Sequence, residues 1–193
     1  CSGLLRASRS AAAERPVSHH MKGQADLQQL IDEALRLWGE GRLLVARRLY
    51  KAASEVIPEG HWRQAEILQS YAAVLAELGL ADDAETQYRE ALRLTMAEGQ
   101  SPNSLAAQIA ANFLSVHLLS QCRAQEALDA LPEQDDHSKN EPAFLSAARA
   151  EALSALGRIS EADFIARRAL GNVSDEVRRQ ELERRFIENG VLR

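Results

Sequence analysis

Histidine and cysteine are the residues best able to carry chemistry in this chain, but their spacing offers little support for catalysis. His117 and Cys122 lie five positions apart across a predicted turn, and a nucleophilic pair would also need a group that orients the histidine. No such group is identifiable, so we interpret them as an ordinary helix-end histidine and a small buried thiol. The chain has no Cys-x-x-Cys or His-Glu-x-x-His motif and no glycine-rich phosphate loop. We therefore predict no enzymatic activity, no metal site and no cofactor.

The other polar clusters also have simple interpretations. His61 is predicted to lie on the surface at a helix start, and His19-His20 fall in the N-terminal segment. Asp135-Asp136-His137 is predicted to be a solvated acidic loop. Asn172-Val173-Ser174 fits a glycosylation acceptor, but such triplets are common by chance, and Ser174 is also predicted to cap a helix.

The charge balance argues against a nucleic-acid partner. The chain has 28 acidic and 23 basic residues and a net charge of −5, whereas nucleic-acid binders show a basic excess or stripe. A C-terminal arginine cluster is interleaved with glutamates, which predicts a solvated helix face with paired charges. These arginines are Arg178, Arg179, Arg184 and Arg185. No apolar run approaches the roughly 20 residues that a membrane-spanning helix needs.

The first 23 residues lack a sustained helical period and are predicted to form a flexible tether. Cys1-Ser2-Gly3 resembles the mature end of a bacterial lipoprotein, whose cysteine carries a diacylglycerol. That resemblance implies a lipidated Cys1 and a location on the periplasmic face of the bacterial cell envelope. Alternatively, residues 1–20 are a cloning-vector remnant, Met21 is the natural start, and the protein is cytoplasmic.

Helical segments of similar pattern recur along the chain. Four regions each contain an apolar-periodic helix, a short turn and a second helix, namely residues 27–58, 64–94, 105–131 and 144–170. Alanine, leucine, glutamate and arginine dominate them, and all of these favour helix. The sequence therefore predicts an all-α protein.

The spacing of small residues within these regions resembles that of tetratricopeptide repeats. The first region carries Gly41, Ala46, Tyr50, Ala53 and a closing Pro58. The other three carry the sets Gly79, Ala84, Tyr88 and Ala91; Cys122, Ala127 and Leu131; and Gly157, Ala162, Ala166 and Ala169. The third set departs from the pattern at Cys122, and Ala166 replaces the aromatic in the fourth. The 38 residues from Ala46 to Ala84 exceed the usual repeat of about 34, and this resembles the long-period variant of kinesin light chains and many bacterial regulators.

The resemblance covers residues 24–171 and implies an α-solenoid of about four helix hairpins. Residues 172–193 are predicted to form a capping helix with Ser174 as N-cap. In this helix Val177 and Phe186 are expected to face inward, Glu181, Arg184 and Arg185 outward, and Asn189-Gly190 to end it.

In this architecture the first helix of each hairpin lines a concave groove that binds partner proteins. The residues placed there are Gln28, Ile31, Leu35, Trp38, Glu66, Gln69, Ala73, Glu77, Asn112, Phe113, Val116, Phe144 and Glu151. Trp38 and Trp62 are either anchors for a partner or residues packed between helices. Ile31 and Leu35 stand where repeats that clamp the acidic tails of chaperones need lysine and asparagine, so such a tail is not expected.

Two functions remain open at this stage. The favoured one is a non-enzymatic interaction scaffold, tethered to a membrane through Cys1, that serves as an assembly factor or accessory subunit of an envelope complex. The alternative is a soluble chaperone or regulator that holds a client peptide and has no membrane role. The sequence does not identify the partner or the oligomeric state.

Overall fold

A computed structural model describes residues 17–96, 101, 104–133 and 141–192. Within these ranges the chain forms helices and no strand. In chain order the helices are α1 Val17–Gly39, α2 Leu43–Val56, α3 Gln64–Glu77, α4 Ala81–Met96, α5 Leu105–Ser120, α6 Ala124–Asp129, α7 Ala143–Ala155, α8 Ile159–Asn172 and α9 Glu176–Glu188. The predicted all-α class is confirmed.

Consecutive helices pair as antiparallel hairpins: α1 with α2, α3 with α4, α5 with α6, and α7 with α8. Each second helix also packs against the first helix of the next hairpin, and α9 packs on α8 and α7. The largest core cluster runs from Leu27 in α1 to Ala152 in α7, and a second cluster joins α7 and α8 to Phe186 in α9. The hairpins therefore stack into one continuous array.

The same left-handed turn ends the first helix of every hairpin. It is formed by Gly41, Gly79, Cys122 and Gly157, at φ values of 73°, 76°, 59° and 77°. The following residue donates its N–H to the carbonyl five residues earlier, as in Arg42 N to Leu37 O at 2.9 Å and Leu80 N to Leu75 O at 3.0 Å. This is the Schellman arrangement, which favours glycine because a Cβ disfavours positive φ.

Two small residues per hairpin let the paired helices approach closely. Seven positions before the turn residue stand Ala34, Ala72, Ser115 and Ala150, and five positions after it stand Ala46, Ala84, Ala127 and Ala162. All eight are fully buried. Larger side chains there would have to push the two helices of the hairpin apart.

The C-terminal helix shares the turn but not the small residue. Gly190 has φ 67°, and Val191 N donates to Phe186 O at 2.8 Å. The position seven residues before Gly190, however, is the exposed Glu183. Burying a carboxylate at this crossing point would be costly. With Glu183 exposed there, α9 has the polar outer face expected of a capping helix.

Some details of the sequence prediction are wrong. Helix α1 begins at Val17, so residues 17–23 are helical although the sequence predicted no sustained helical period there, and His19-His20 lie in α1. The N-cap of α9 is Asp175, which accepts the N–H of Arg178 at 2.9 Å, and not Ser174. Val177 is 66% exposed, whereas Phe186 is buried as expected. Cys1 and Asp135-Asp136-His137 lie outside the described residues.

Candidate protein-binding groove

The first helices form one face of the array. Helix α5 contacts both α3 and α7 directly, so exposed side chains of these three helices lie on a shared surface. Three of the predicted groove residues are well exposed there or on α1, namely Leu35, Phe113 and Val116 at 56%, 41% and 39%. Gln69, Ala73 and Asn112 are half-buried on α3 and α5.

Other predicted groove residues are engaged within the protein. Ile31 is only 7% exposed and belongs to the main core, so it does not line an open surface. Phe144 packs against the buried cluster of Leu131, Leu145 and Ala148. Gln28 donates to Asp32 Oδ1 at 2.7 Å and accepts a hydrogen bond from Arg63.

Helix α9 covers the groove position of the fourth hairpin. The Glu151 carboxylate accepts hydrogen bonds from Arg185 Nε at 2.5 Å and from Asn189 Nδ2 at 2.8 Å. This hydrogen bond raises the pKa of Arg185 above its ordinary value. Because Glu151 is already bound by α9, the open part of the surface lies on α1, α3 and α5.

Trp38 joins the first two hairpins. Its ring meets Tyr50 edge-on, with centroids 6.3 Å apart, and its Nε1 donates to Glu77 Oε1 at 2.9 Å. Of the two interpretations of Trp38, packing between helices is therefore the one observed. Glu66, on the same face, pairs with Arg63 at 3.0 Å.

Gln69 and Asn112 occupy equivalent positions, each ten residues before the turn residue of its hairpin. Neither side-chain amide makes a hydrogen bond to any other described residue. Ala73 and Val116 follow one turn later on the same two helices. The face thus presents two unpaired amides beside small and aliphatic side chains, an arrangement suited to the backbone of another chain.

Trp62 stands between two clefts next to this surface. The residue is 80% exposed, its ring stacks on His61 with centroids 5.8 Å apart, and the ring centroid lies 5.6 Å from the Arg63 guanidinium carbon. One cleft, of about 340 Å³, is lined among others by Trp62, Gln69, Leu94, Thr95, Ala106 and Ile109. The other, of about 200 Å³, lies against Leu27 and Gln28.

Sequence reasoning missed the far wall of the larger cleft. Leu94 and Thr95 come from the end of α4, and Ala106 and Ile109 from the start of α5. The helical periods of α4 and α5 give no sign of this proximity, because it depends on how one hairpin stacks on the next.

The structure gives His117 a packing role. It is 5% exposed, its Nε2 lies 3.1 Å from the carbonyl oxygen of Ala81, and its ring lies 5.3 Å from that of Tyr88. Tyr88 also stacks on Phe113 at 6.2 Å, and its burial, with Glu77 nearby, raises its pKa to about 12. Cys122 is exposed, contrary to the predicted buried thiol. His117 therefore joins α5 to α4 and lies in the core.

Within the described ranges, no three histidine, cysteine, aspartate or glutamate side chains are grouped so that they could hold a metal ion. None of the described helices is both long and apolar enough to cross a membrane.

No known protein-family model matches the chain, and neither does any curated protein. Among solved structures it is similar to MamA 41-end from Desulfovibrio magneticus RS-1, with a TM-score of 0.57, 17% identity and 86% of each chain covered. It is also similar to the MamA RS-1 ArsTM double mutant, with a TM-score of 0.57, 17% identity and 85% of each chain covered. At this identity the likeness concerns the fold, and the chain has a tetratricopeptide-like helical repeat fold.

Proposed function

We propose that this protein is a non-enzymatic scaffold that holds an extended segment of a partner protein along the first helices of its hairpins. The observation that carries the proposal is the pair of unpaired amides, Gln69 and Asn112, at equivalent positions on α3 and α5. The amide atoms of both residues are open to solvent, so they are free to exchange hydrogen bonds to water for hydrogen bonds to a peptide.

An extended peptide fits this surface chemically. Each amide side chain carries a donor and an acceptor, as a peptide group does. Direct contact between α3 and α5 brings both amides to the same surface. Phe113 and Val116 supply apolar contacts, and the cleft beside Trp62 offers room for one large apolar side chain of the partner. The amides would hold the backbone, and the cleft would select the side chain.

The test starts from a displayed library of random peptides selected on the full chain. The Gln69→Ala/Asn112→Ala variant is expected to bind the selected peptides at least about tenfold more weakly, because it loses two hydrogen-bonding side chains. The control is Gln125→Ala/Gln180→Ala, which removes two exposed amides whose partners, Asp129 and Glu176, lie on their own helices. Equal binding by the two variants would refute the proposal.

We further propose the membrane-anchored form of this scaffold, an assembly factor or accessory subunit of a bacterial envelope complex. The support is the Cys1-Ser2-Gly3 sequence alone. The long repeat spacing similar to kinesin light chains is likewise a proposal. Mass spectrometry of protein from its native source tests the anchor, since a diacylglycerol on Cys1 is expected, and an unmodified cysteine or a start at Met21 would contradict it.

A further inference from the structure

The outer side of α2 carries an unusual combination of charged and apolar side chains. Leu44, Arg47, Arg48 and Lys51 are spaced so that they share one side of the helix, on which Arg48 and Lys51 are exposed and Arg47 is half-buried. Leu44 is 63% exposed, and its neighbour Val45 is 36% exposed. The opposite side of α2 is buried through Ala46, Tyr50 and Ala53. We call Leu44, Arg47, Arg48 and Lys51 the α2 outer strip.

The other long second helices neutralise their outward arginines, whereas α2 does not. On α4 and α8 the exposed arginines each have a carboxylate on their own helix at 2.6–2.7 Å, in the pairs Arg89–Glu85, Arg93–Glu90 and Arg167–Asp163. The half-buried Arg168 of α8 lies 3.8 Å from Glu141 instead. Among the described residues, Arg47 and Arg48 have no such partner. Lys51 lies 3.7 Å from Glu55, which is longer than a hydrogen bond. A positive strip thus stands on a chain of net charge −5.

We propose that the α2 outer strip docks on the surface of an anionic lipid bilayer. Basic side chains near such a surface are attracted by its negative potential. Exposed aliphatic groups beside them gain by entering the boundary between headgroups and acyl chains. Leu44 and Val45 favour a bilayer over an acidic protein surface, because charge pairing alone gives no reason to keep aliphatic side chains exposed one turn before the cations.

Docking through this strip leaves the first-helix face open. Tyr50, on the buried side of α2, contacts Trp38 of α1, so α1 lies on the opposite side of α2 from the strip. A partner segment could then bind on α1, α3 and α5 while α2 rests on lipid. This inference depends neither on peptide binding nor on an acyl chain at Cys1.

The experiment is sedimentation of the full, unlipidated chain with vesicles of phosphatidylglycerol and phosphatidylcholine in equal parts. We expect binding at low ionic strength that weakens with added salt and is absent for pure phosphatidylcholine. The Arg47→Gln/Arg48→Gln variant is expected to partition about 30-fold more weakly, at about a factor of five per basic residue. Leu44→Ser should weaken binding further.

The matched control is Arg89→Gln/Arg93→Gln, which removes two outward arginines and the same charge from α4. It should bind vesicles as the unaltered chain does. Weaker vesicle binding by both double variants would overturn the inference. Vesicle binding that does not depend on phosphatidylglycerol would also overturn it, and that result is expected if the strip instead binds an acidic protein. Peptide binding by Arg47→Gln/Arg48→Gln, measured in parallel, should stay unchanged, so this failure is distinct from failure of the proposed function.

Discussion

The second and third hairpins have the same arrangement but differ in their residues and in the length of the second helix. Both have the left-handed turn and a small buried residue seven positions before it. The second hairpin uses Gly79 and Ala72 and has a second helix of 16 residues. The third uses Cys122 and Ser115, and its second helix α6 has only 6 residues because Pro132 follows closely.

Polar contacts from neighbouring hairpins hold the short hairpin in place. Arg149 of α7 donates to the carbonyl of Pro132 at 2.6 Å, and Arg123 at the start of α6 pairs with Glu85 of α4 at 2.5 Å. His117 reaches the Ala81 carbonyl. Both hairpins therefore need a close helix crossing and a left-handed turn. The length of the second helix can vary if hydrogen bonds replace the lost apolar contact.

The largest loss of unfolding free energy on substitution by alanine is expected nine residues after the turn residue. This position is occupied by Tyr88 in the second hairpin and by Leu131 in the third. Both are buried, but Tyr88 contacts two rings, whereas Leu131 lies in a small cluster. Tyr88→Ala should lower the free energy of unfolding by about 4 kcal/mol and Leu131→Ala by about 2.5 kcal/mol. Urea unfolding measures both, and a larger loss for Leu131→Ala would contradict the description of the third hairpin.

Breaking the polar support of the short hairpin should come next. Arg149 and Glu141 form a buried pair at 3.1 Å, with side chains 9% and 7% exposed. Arg149→Ala leaves Glu141 without this partner and Pro132 without its donor, and should cost about 3 kcal/mol in urea unfolding. Adding Glu141→Gln should recover part of that loss. No recovery would mean that the removed arginine acted through packing or through its hydrogen bond to Pro132, and not through Glu141.

Replacing Ser115 with alanine should stabilise the protein. Its hydroxyl is fully buried and has no hydrogen-bond partner among the described residues. Ser115→Ala should raise the free energy of unfolding by about 1.5 kcal/mol, because it removes an unsatisfied polar group. The reciprocal Ala72→Ser in the second hairpin should be destabilising. If both changes lower the melting temperature, the two crossings are not equivalent.

The turn residues allow a reciprocal exchange of smaller effect. Cys122 holds φ 59°, which disfavours a side chain, and a Cβ at Gly79 would meet no atom within 4 Å. Cys122→Gly should therefore stabilise and Gly79→Ala destabilise, each by about 1 kcal/mol, through backbone conformation alone. Thermal unfolding checks this, and effects of the same sign would argue against a shared turn.

The smallest effect concerns pH at the junction of the two hairpins. The Arg123 hydrogen bond, assisted by Arg89, lowers the pKa of Glu85 below its ordinary 4.5. The resulting stability is fully present above pH 4.5 and is lost as the pH falls through the lowered pKa. Glu85→Gln should cost less than about 1 kcal/mol at neutral pH and nothing in strong acid. A deficit that persists in acid would exclude the charge as its cause.

The fold was predictable because its determinants are local. The turn at Gly79 and the buried Ala84 are what the resemblance to tetratricopeptide repeats implies, and each depends only on nearby residues in the sequence. Exposure along the first helices was predictable only in part, since Ile31 and Glu151 hold positions like those of the open residues but are covered by the core and by α9. At α9, Ser174 and Asp175 are adjacent and chemically similar caps, so sequence could not separate them.

The different environments of the two tryptophans allow ligand binding to be followed by intrinsic fluorescence. Trp62 is 80% exposed, whereas Trp38 is half-buried against Tyr50 and Glu77, and the chain has no other tryptophan. Fluorescence from an indole in water lies at longer wavelength than from one shielded by protein. A blue shift on ligand addition that disappears in Trp62→Phe would therefore record occupation of the cleft in real time, without a label.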